Sequence, residues 1–195
     1  MKVIGLTGGI GMGKSACAHL LQARGAMVVD TDDLARQVVA PGQPALAELQ
    51  DAFGVEIIGP EGQLKRDLLA GLVFADAGAR KQLEAILHPP ILELWRAQLQ
   101  TWRAGGRKLA VVVIPLLFET KAESQFDRVI CVACSADTQR ERLRARGWTD
   151  EQLQQRIAAQ LPVGEKMLRS SYVVWTEGGL DVHAEQVDRI VAPLR

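Results

Sequence analysis

The chain has no charge imbalance: 23 lysines and arginines meet 23 aspartates and glutamates, a formal net charge of zero at pH 7. Nucleic-acid binders usually carry a basic excess, so no nucleic-acid partner is expected. Long apolar runs are also missing, and none approaches the roughly 20 residues that a membrane span requires. The opening Met1-Lys2-Val3-Ile4-Gly5-Leu6 is too short an apolar stretch before Gly8-Gly9 to read as a secretory signal. No membrane partner and a cytoplasmic location are the expectation. Cysteine is scarce, with three in 195 residues, which suits a reducing compartment. Two of them, Cys131 and Cys134, form a CxxC within Val129-Ile130-Cys131-Val132-Ala133-Cys134. That run reads as a buried strand, where positions three apart face opposite ways, so core thiols rather than a metal or redox pair are expected. Repeats, low-complexity tracts and obvious linkers are absent as well.

What is present is apolar material, 48% of the residues, enough for the core of one α/β domain with small attached lobes. Strand candidates recur at Lys2–Leu6, Met27–Val29, Leu109–Ile114, Arg128–Cys134 and Tyr172–Trp175, with helical segments between them. This alternation indicates an α/β fold, a parallel sheet with helices on both faces. The continuous run Leu109-Ala110-Val111-Val112-Val113-Ile114 fits a central strand buried on both sides. About 80 residues separate the second and third strands, far more than one crossover helix needs. They read as helices near Thr31–Val39, Pro44–Phe53, Lys65–Phe74, Ala77–Leu87 and Pro90–Arg103. Gly54, Gly59-Pro60-Glu61-Gly62 and His88-Pro89 punctuate them. In the last, Ile91, Leu92, Trp95, Leu99 and Trp102 fall at helical spacing and read as core. A helical lobe beside the sheet is expected, shaped for something larger than a nucleotide.

The strongest chemical signal is Gly8-Gly9-Ile10-Gly11-Met12-Gly13-Lys14-Ser15, a GxxxxGK[ST] loop between an apolar strand and the helix candidate Lys14–Arg24. Chance alone would give this pattern in on the order of one chain in a hundred of this length. Glycines let the backbone turn its N–H groups onto phosphates, and the helix N-terminus adds partial positive charge. Lys14 would charge-pair with the β- and γ-phosphates, and the Ser15 hydroxyl would ligate Mg²⁺. Gly9, Gly11, Met12, Gly13 and Ala16 complete the expected ATP cradle.

Two further groups of residues join it. Asp30, Asp32 and Asp33 follow the second strand, and ligands of open α/β sheets bind outside the carboxyl ends of strands. A carboxylate there can orient an attacking hydroxyl and take its proton. The plainer alternative is an acidic helix start, with Asp30 or Thr31 as cap. After the fourth strand, Ser135-Ala136-Asp137-Thr138-Gln139-Arg140-Glu141-Arg142-Leu143-Arg144-Ala145-Arg146 opens a helix. On it Arg142 and Arg146 share one face and Arg140 and Arg144 another. Arginines over a triphosphate fork onto its oxygens, whereas a solvated basic helix is the alternative. Gly147-Trp148-Thr149 then turns into a further helix, as a mobile lid would.

Taken together over essentially the whole chain, these residues resemble the dephospho-coenzyme A kinase family. Ile4–Ser15 resembles its opening and Asp30-Thr31-Asp32 its DxD. Phe53-Gly54 and Gly62-Gln63-Leu64-Lys65-Arg66 resemble the start of its substrate lobe. Leu87-His88-Pro89 and Pro115-Leu116-Leu117-Phe118-Glu119 follow in order, and these HP and PLLxE elements separate the family from other small P-loop kinases. Arg142, Arg146, Arg156, Gln160 and Lys166 fall where it has its lid arginines and the segment after them. The resemblance implies ATP-dependent phosphorylation of the ribose 3′-hydroxyl of dephospho-coenzyme A. It implies a core of residues 1–30, 105–134 and 171–195, an acceptor lobe of 31–104 and a lid of 135–170. On this basis Asp32 is the general base, with Lys14 and Arg142 as its catalytic partners. Arg142, Arg146 and Thr176 would contact ATP. Asp30, Arg66, His88, Leu116, Leu117 and Glu119 would hold the acceptor.

The chain departs from the family pattern in Ser170-Ser171 and Thr176, where an Ala-Asp pair precedes the last strand and an Asn follows it. That Asn is expected near the adenine, and Thr lacks its amide donors. Val113 stands where some members carry an acidic residue. Two rivals remain at this point: a nucleoside or nucleoside monophosphate kinase, and a nucleotide-dependent switch, the latter without a guanine-reading NKxD.

Overall fold

The computed structural model describes residues 1–194, with the backbone alone for Phe74 and Ala75. Five strands, β1 (Lys2–Gly8), β2 (Met27–Asp30), β3 (Leu109–Val113), β4 (Arg128–Ala133) and β5 (Tyr172–Trp175), form one sheet in the order β2-β3-β1-β4-β5. The pairings of β1 with β3, β1 with β4 and β4 with β5 are parallel. β1 sits at the centre, and every side chain of Val3–Leu6, like those of Leu109–Val113, is buried. Cys131 and Cys134 are buried and free, as the strand reading expects. Burial pushes the Cys131 thiol up to about 11 and that of Cys17 up to about 12, which keeps both protonated and unreactive.

The chain forms two compact units, one of Met1–Val29 with Trp102–Arg195 and one of Asp30–Thr101. In the first, helices α1 (Lys14–Ala23) and α9 (Leu180–Val191) enclose a core of Ile4, Leu6, Leu21, Val111, Ile130, Val174, Val187 and Val191. Arg24 Nε and Nη2 fork onto the Asp188 carboxylate, each at 2.6 Å, tying α1 to α9. Helices α6 (Ala136–Arg144), α7 (Asp150–Ala158) and α8 (Val163–Arg169) belong to this unit too. Their starts are written locally: Ser135 Oγ accepts from the Thr138 N–H, and Thr149 with Gln152 makes a reciprocal capping box. At the β5 end of the sheet, the Gln186 side chain accepts from the Trp175 N–H at 2.8 Å and donates to the Trp175 carbonyl at 2.9 Å.

The second unit holds α2 (Thr31–Val38), α3 (Pro44–Phe53), α4 (Arg66–Ala75) and most of α5 (Ala77–Ala104). Its own core gathers Val38, Leu46, Leu49, Ile57, Leu69 and Val73. Here the sequence expectation of two helices split at His88-Pro89 is corrected: α5 runs unbroken for 28 residues with Pro89 and Pro90 inside it. The prolines remove the bonds to the Ala85 and Ile86 carbonyls, a local cost of about 3 kcal/mol or more for an interior proline. Leu83, Ile86 and Leu87 before them and Ile91 after them all pack on the same core. A break would take Ile91 off that face, so burial on both sides of the pair holds the helix together.

Candidate active site

The phosphate loop is built as the motif requires. Gly8 ends β1 against β4, where an added Cβ would lie 2.2 Å from the Val132 carbonyl oxygen, so no side chain fits. Gly13 sits at φ 94°, the left-handed region that favours glycine, and hands the chain to α1 at Lys14. Lys14 Nζ lies back over the loop, donating to the Gly8 and Gly9 carbonyls at 3.0 Å each. Ser15 is exposed, and its hydroxyl makes no hydrogen bond among the described residues. Met12 is 2% exposed, and its side chain packs with Ala133 and Cys134.

Side chains from α6 to α8 reach this loop. Gln139 Nε2 donates to the Ile10 carbonyl at 2.7 Å, and the Ile10 N–H donates to Gln160 Oε1 at 3.0 Å. The loop apex is thus held from both sides. Arg142 donates through Nη1 to Thr176 Oγ1 at 2.8 Å and through Nη2 to the Thr176 carbonyl at 2.5 Å. Thr176 Oγ1 in turn donates to the Met12 carbonyl at 2.9 Å. Arg142, Thr176 and Met12 are therefore brought together. Arg146 is not with them: α6 ends at Arg144, and Arg146 lies in the turn that Gly147 closes, exposed and without a side-chain partner among the described residues. The shared helical face expected for Arg142 and Arg146 is corrected on that ground. Arg140 and Arg144 are engaged elsewhere, with Asp137 and Asp150.

Two expectations of direct ligand contact also change. Thr176 is 1% exposed with its hydroxyl bonded in both directions, so its side chain offers nothing to an adenine ring. Leu117 is fully buried in a cluster with Phe118, Ala122 and Val129, because its side chain fills the space beside Gly5. It cannot line an acceptor surface, whereas Leu116 is exposed. Glu119 Oε1 accepts from the Leu161 N–H at 2.8 Å and pairs with Lys166 Nζ at 2.8 Å. Lys166 is wholly buried and donates also to the Pro115 carbonyl, which accepts from Thr7 Oγ1 too. This network fixes both ends of Pro115–Glu119. Nothing in the sequence marked Gln139 for its role, since a glutamine on a polar helix reads as solvated.

Glu177 is a further residue that the sequence reading passed over. Its Oε1 accepts from the Ser135 N–H at 2.8 Å and Thr138 Oγ1 at 3.0 Å, and Oε2 from Trp175 Nε1 at 3.1 Å. The bonds from Ser135, then those from Thr138 and Trp175, hold its carboxyl down at about 2. A carboxylate charged at neutral pH thereby pins the start of α6 beside the residue that anchors Arg142.

Within the second unit, the three aspartates at the junction of β2 and α2 separate by environment. Asp30 is the cap of α2, its Oδ1 accepting from the Asp32 N–H at 2.9 Å. Asp33 pairs with Arg36 at 2.8 Å. Asp32 is exposed, and its carboxylate has no hydrogen bond or ion pair among the described residues. Arg66 opens α4 and His88 lies mid-way along α5, both exposed.

A family model described as dephospho-CoA kinase matches residues 2–181. The chain is 48% identical over 196 residues to a dephospho-CoA kinase of Anaeromyxobacter dehalogenans, covering 100% of this chain and 93% of that protein. To one of Bdellovibrio bacteriovorus it is 40% identical over 191 residues, covering 98% and 95%. Among solved structures, that of TT1252 from Thermus thermophilus matches with a TM-score of 0.87 at 35% identity, covering 100% of this chain and 98% of that one. A shikimate kinase from Acinetobacter baumannii, at TM-score 0.55 and 15% identity over 99% and 94%, shares the fold alone. The chain belongs to the dephospho-CoA kinase family, whose reaction is the ATP-dependent phosphorylation of the 3′-hydroxyl of dephospho-CoA, the last step of CoA biosynthesis.

Proposed function

We propose that the amides of Gly9–Ala16 with Lys14 hold the triphosphate of ATP, and that Asp32 is the general base toward the 3′-hydroxyl of dephospho-CoA. The observation that carries the assignment of the base is the freedom of one carboxylate among three. Asp30 caps a helix and Asp33 is paired, so Asp32 is the group of the DxD left to accept a proton. The 3′-oxygen attacks the γ-phosphorus as its proton passes to Asp32. The bond from that phosphorus to the bridging oxygen breaks, and ADP leaves with the electron pair.

Lys14 exchanges its resting carbonyl partners for phosphate oxygens, a short swing for a long side chain. Arg142, already held at the loop, and Arg146, unpaired in the turn after α6, meet the triphosphate charge as the lid segment closes. Ser15 would hold Mg²⁺: its free hydroxyl is a hard oxygen donor, and Mg²⁺ prefers one or two protein oxygens beside waters and phosphates. When bound there, the ion would neutralise charge on the triphosphate. Arg66, His88, Asp30 and Leu116 are assigned to the acceptor, and Glu119 keeps Leu116 in place through Lys166. A cytoplasmic location is assigned with the family's reaction, and no helix among the described residues is long and apolar enough to cross a membrane.

A coupled ADP-release assay tests this reading, with Mg·ATP and dephospho-CoA against adenosine, AMP and pantetheine phosphate. Turnover with dephospho-CoA alone, giving CoA, is expected. Turnover with a control and not with dephospho-CoA would overturn the acceptor assignment.

A further inference from the structure

We propose that Thr176 is a positioning residue for phosphoryl transfer: its hydroxyl sets the Arg142 guanidinium against the phosphate loop before ATP arrives. The inference rests on the reading above that this loop holds ATP. Three contacts converge on one buried residue. Thr176 Oγ1 donates to the Met12 carbonyl and accepts from Arg142 Nη1, while the Thr176 carbonyl accepts from Nη2. Its methyl packs on Gly13: a Cβ built there would lie 3.3 Å from Thr176 Cγ2. The last two loop residues before Lys14 and the arginine of α6 thus share a single support.

An arginine side chain free in water loses considerable rotamer freedom when it docks on a phosphate. Two hydrogen bonds to a residue that is 1% exposed remove that freedom beforehand. The neighbouring arginines do not compete for the position, since Arg140 and Arg144 are paired with Asp137 and Asp150. The support is itself rigid. Glu177, the next residue, is bonded to Ser135, Thr138 and the Trp175 ring, so β5 and the start of α6 are fixed around it. The hydroxyl works in both directions at once, which valine cannot do and serine can.

Steady-state kinetics of Thr176→Val, Thr176→Ser, Arg142→Lys and the Thr176→Val/Arg142→Lys double variant test the proposal, beside Lys14→Ala. Thermal melting confirms that each variant is folded. Loss of a hydrogen bond to a charged group corresponds to about a 10- to 100-fold effect. Thr176→Val is therefore expected to lower kcat/KM for ATP by that factor, with KM for dephospho-CoA changed less than about twofold. Thr176→Ser should restore the value to within about threefold, and the double variant should be no worse than the weaker single one, because both cut one link. The proposal is overturned if Thr176→Val keeps kcat/KM for ATP within about twofold of the wild type, or if the two effects multiply. It is overturned equally if Thr176→Ser behaves like Thr176→Val. If Lys14→Ala remains active, the phosphate-loop reading beneath it fails instead.

Discussion

Replacing Lys166 by methionine is expected to destabilise the protein by about 3–5 kcal/mol, the range for removing one partner of a buried ion pair. Lys166 is fully buried and its Nζ meets Glu119 Oε1 and the Pro115 carbonyl, each at 2.8 Å. Without the ammonium, Oε1 keeps only the Leu161 N–H, and Oε2 is already buried with no partner. The Glu119 side chain is 21% exposed, so water offsets part of the desolvation penalty and the loss falls toward the lower end of that range. For a chain of this size each kcal/mol lowers Tm by about 2–4 °C, so a fall of about 6–20 °C is expected in thermal unfolding at pH 7. Urea titration should show the same loss with an unchanged m value. Adding Glu119→Leu should recover most of it, because an apolar pair replaces the ionic one without stranding a charge. A fall below about 2 °C in Lys166→Met, or a deeper loss on adding Glu119→Leu, would refute the reasoning.

Asp32→Asn should reduce turnover by about 10²–10⁴-fold, the usual loss for a missing general base, while ATP binding measured by calorimetry stays as in the wild type. Wild-type turnover would remove Asp32 from that role. Glu177 makes stability depend on acid. Its carboxyl is held at about 2 in the folded protein against an ordinary value of 4.5, so its contribution is fully present above about 4.5 and lost as pH falls toward 2. The Tm advantage of the wild type over Glu177→Gln should therefore be present at pH 6 and shrink on titration to pH 3. An advantage that grows in acid would contradict it.

The phosphate loop, the five strands and the helix starts at Ser135 and after Thr149 were legible because each is written in a few adjacent residues. The conformational demand at Gly8 and Gly13 is likewise local. What escaped were decisions made across long stretches of chain. His88-Pro89-Pro90 reads as a helix stop, and only the shared burial of Ile86, Leu87 and Ile91 keeps α5 whole. Leu117 looks like part of a ligand motif until Gly5, 112 positions earlier, leaves the space that its side chain fills. Thr176 stands where an adenine contact was expected, yet Arg142 and Met12, 34 and 164 positions away, saturate its hydroxyl. The free carboxylate of Asp32 depends on side chains choosing partners, which spacing alone does not fix.

The amide of Gln186 bears on how the open edge of the sheet is finished. Outer strands of a sheet expose N–H and C=O groups on which another chain can build, and an apolar side chain beside them strengthens the invitation. β5 ends the sheet and carries the partly exposed ring of Trp175. By bonding both backbone groups of Trp175, the Gln186 side chain acts as a one-residue imitation of a sixth strand. It gives an incoming strand no place to begin at the very residue whose ring would attract one.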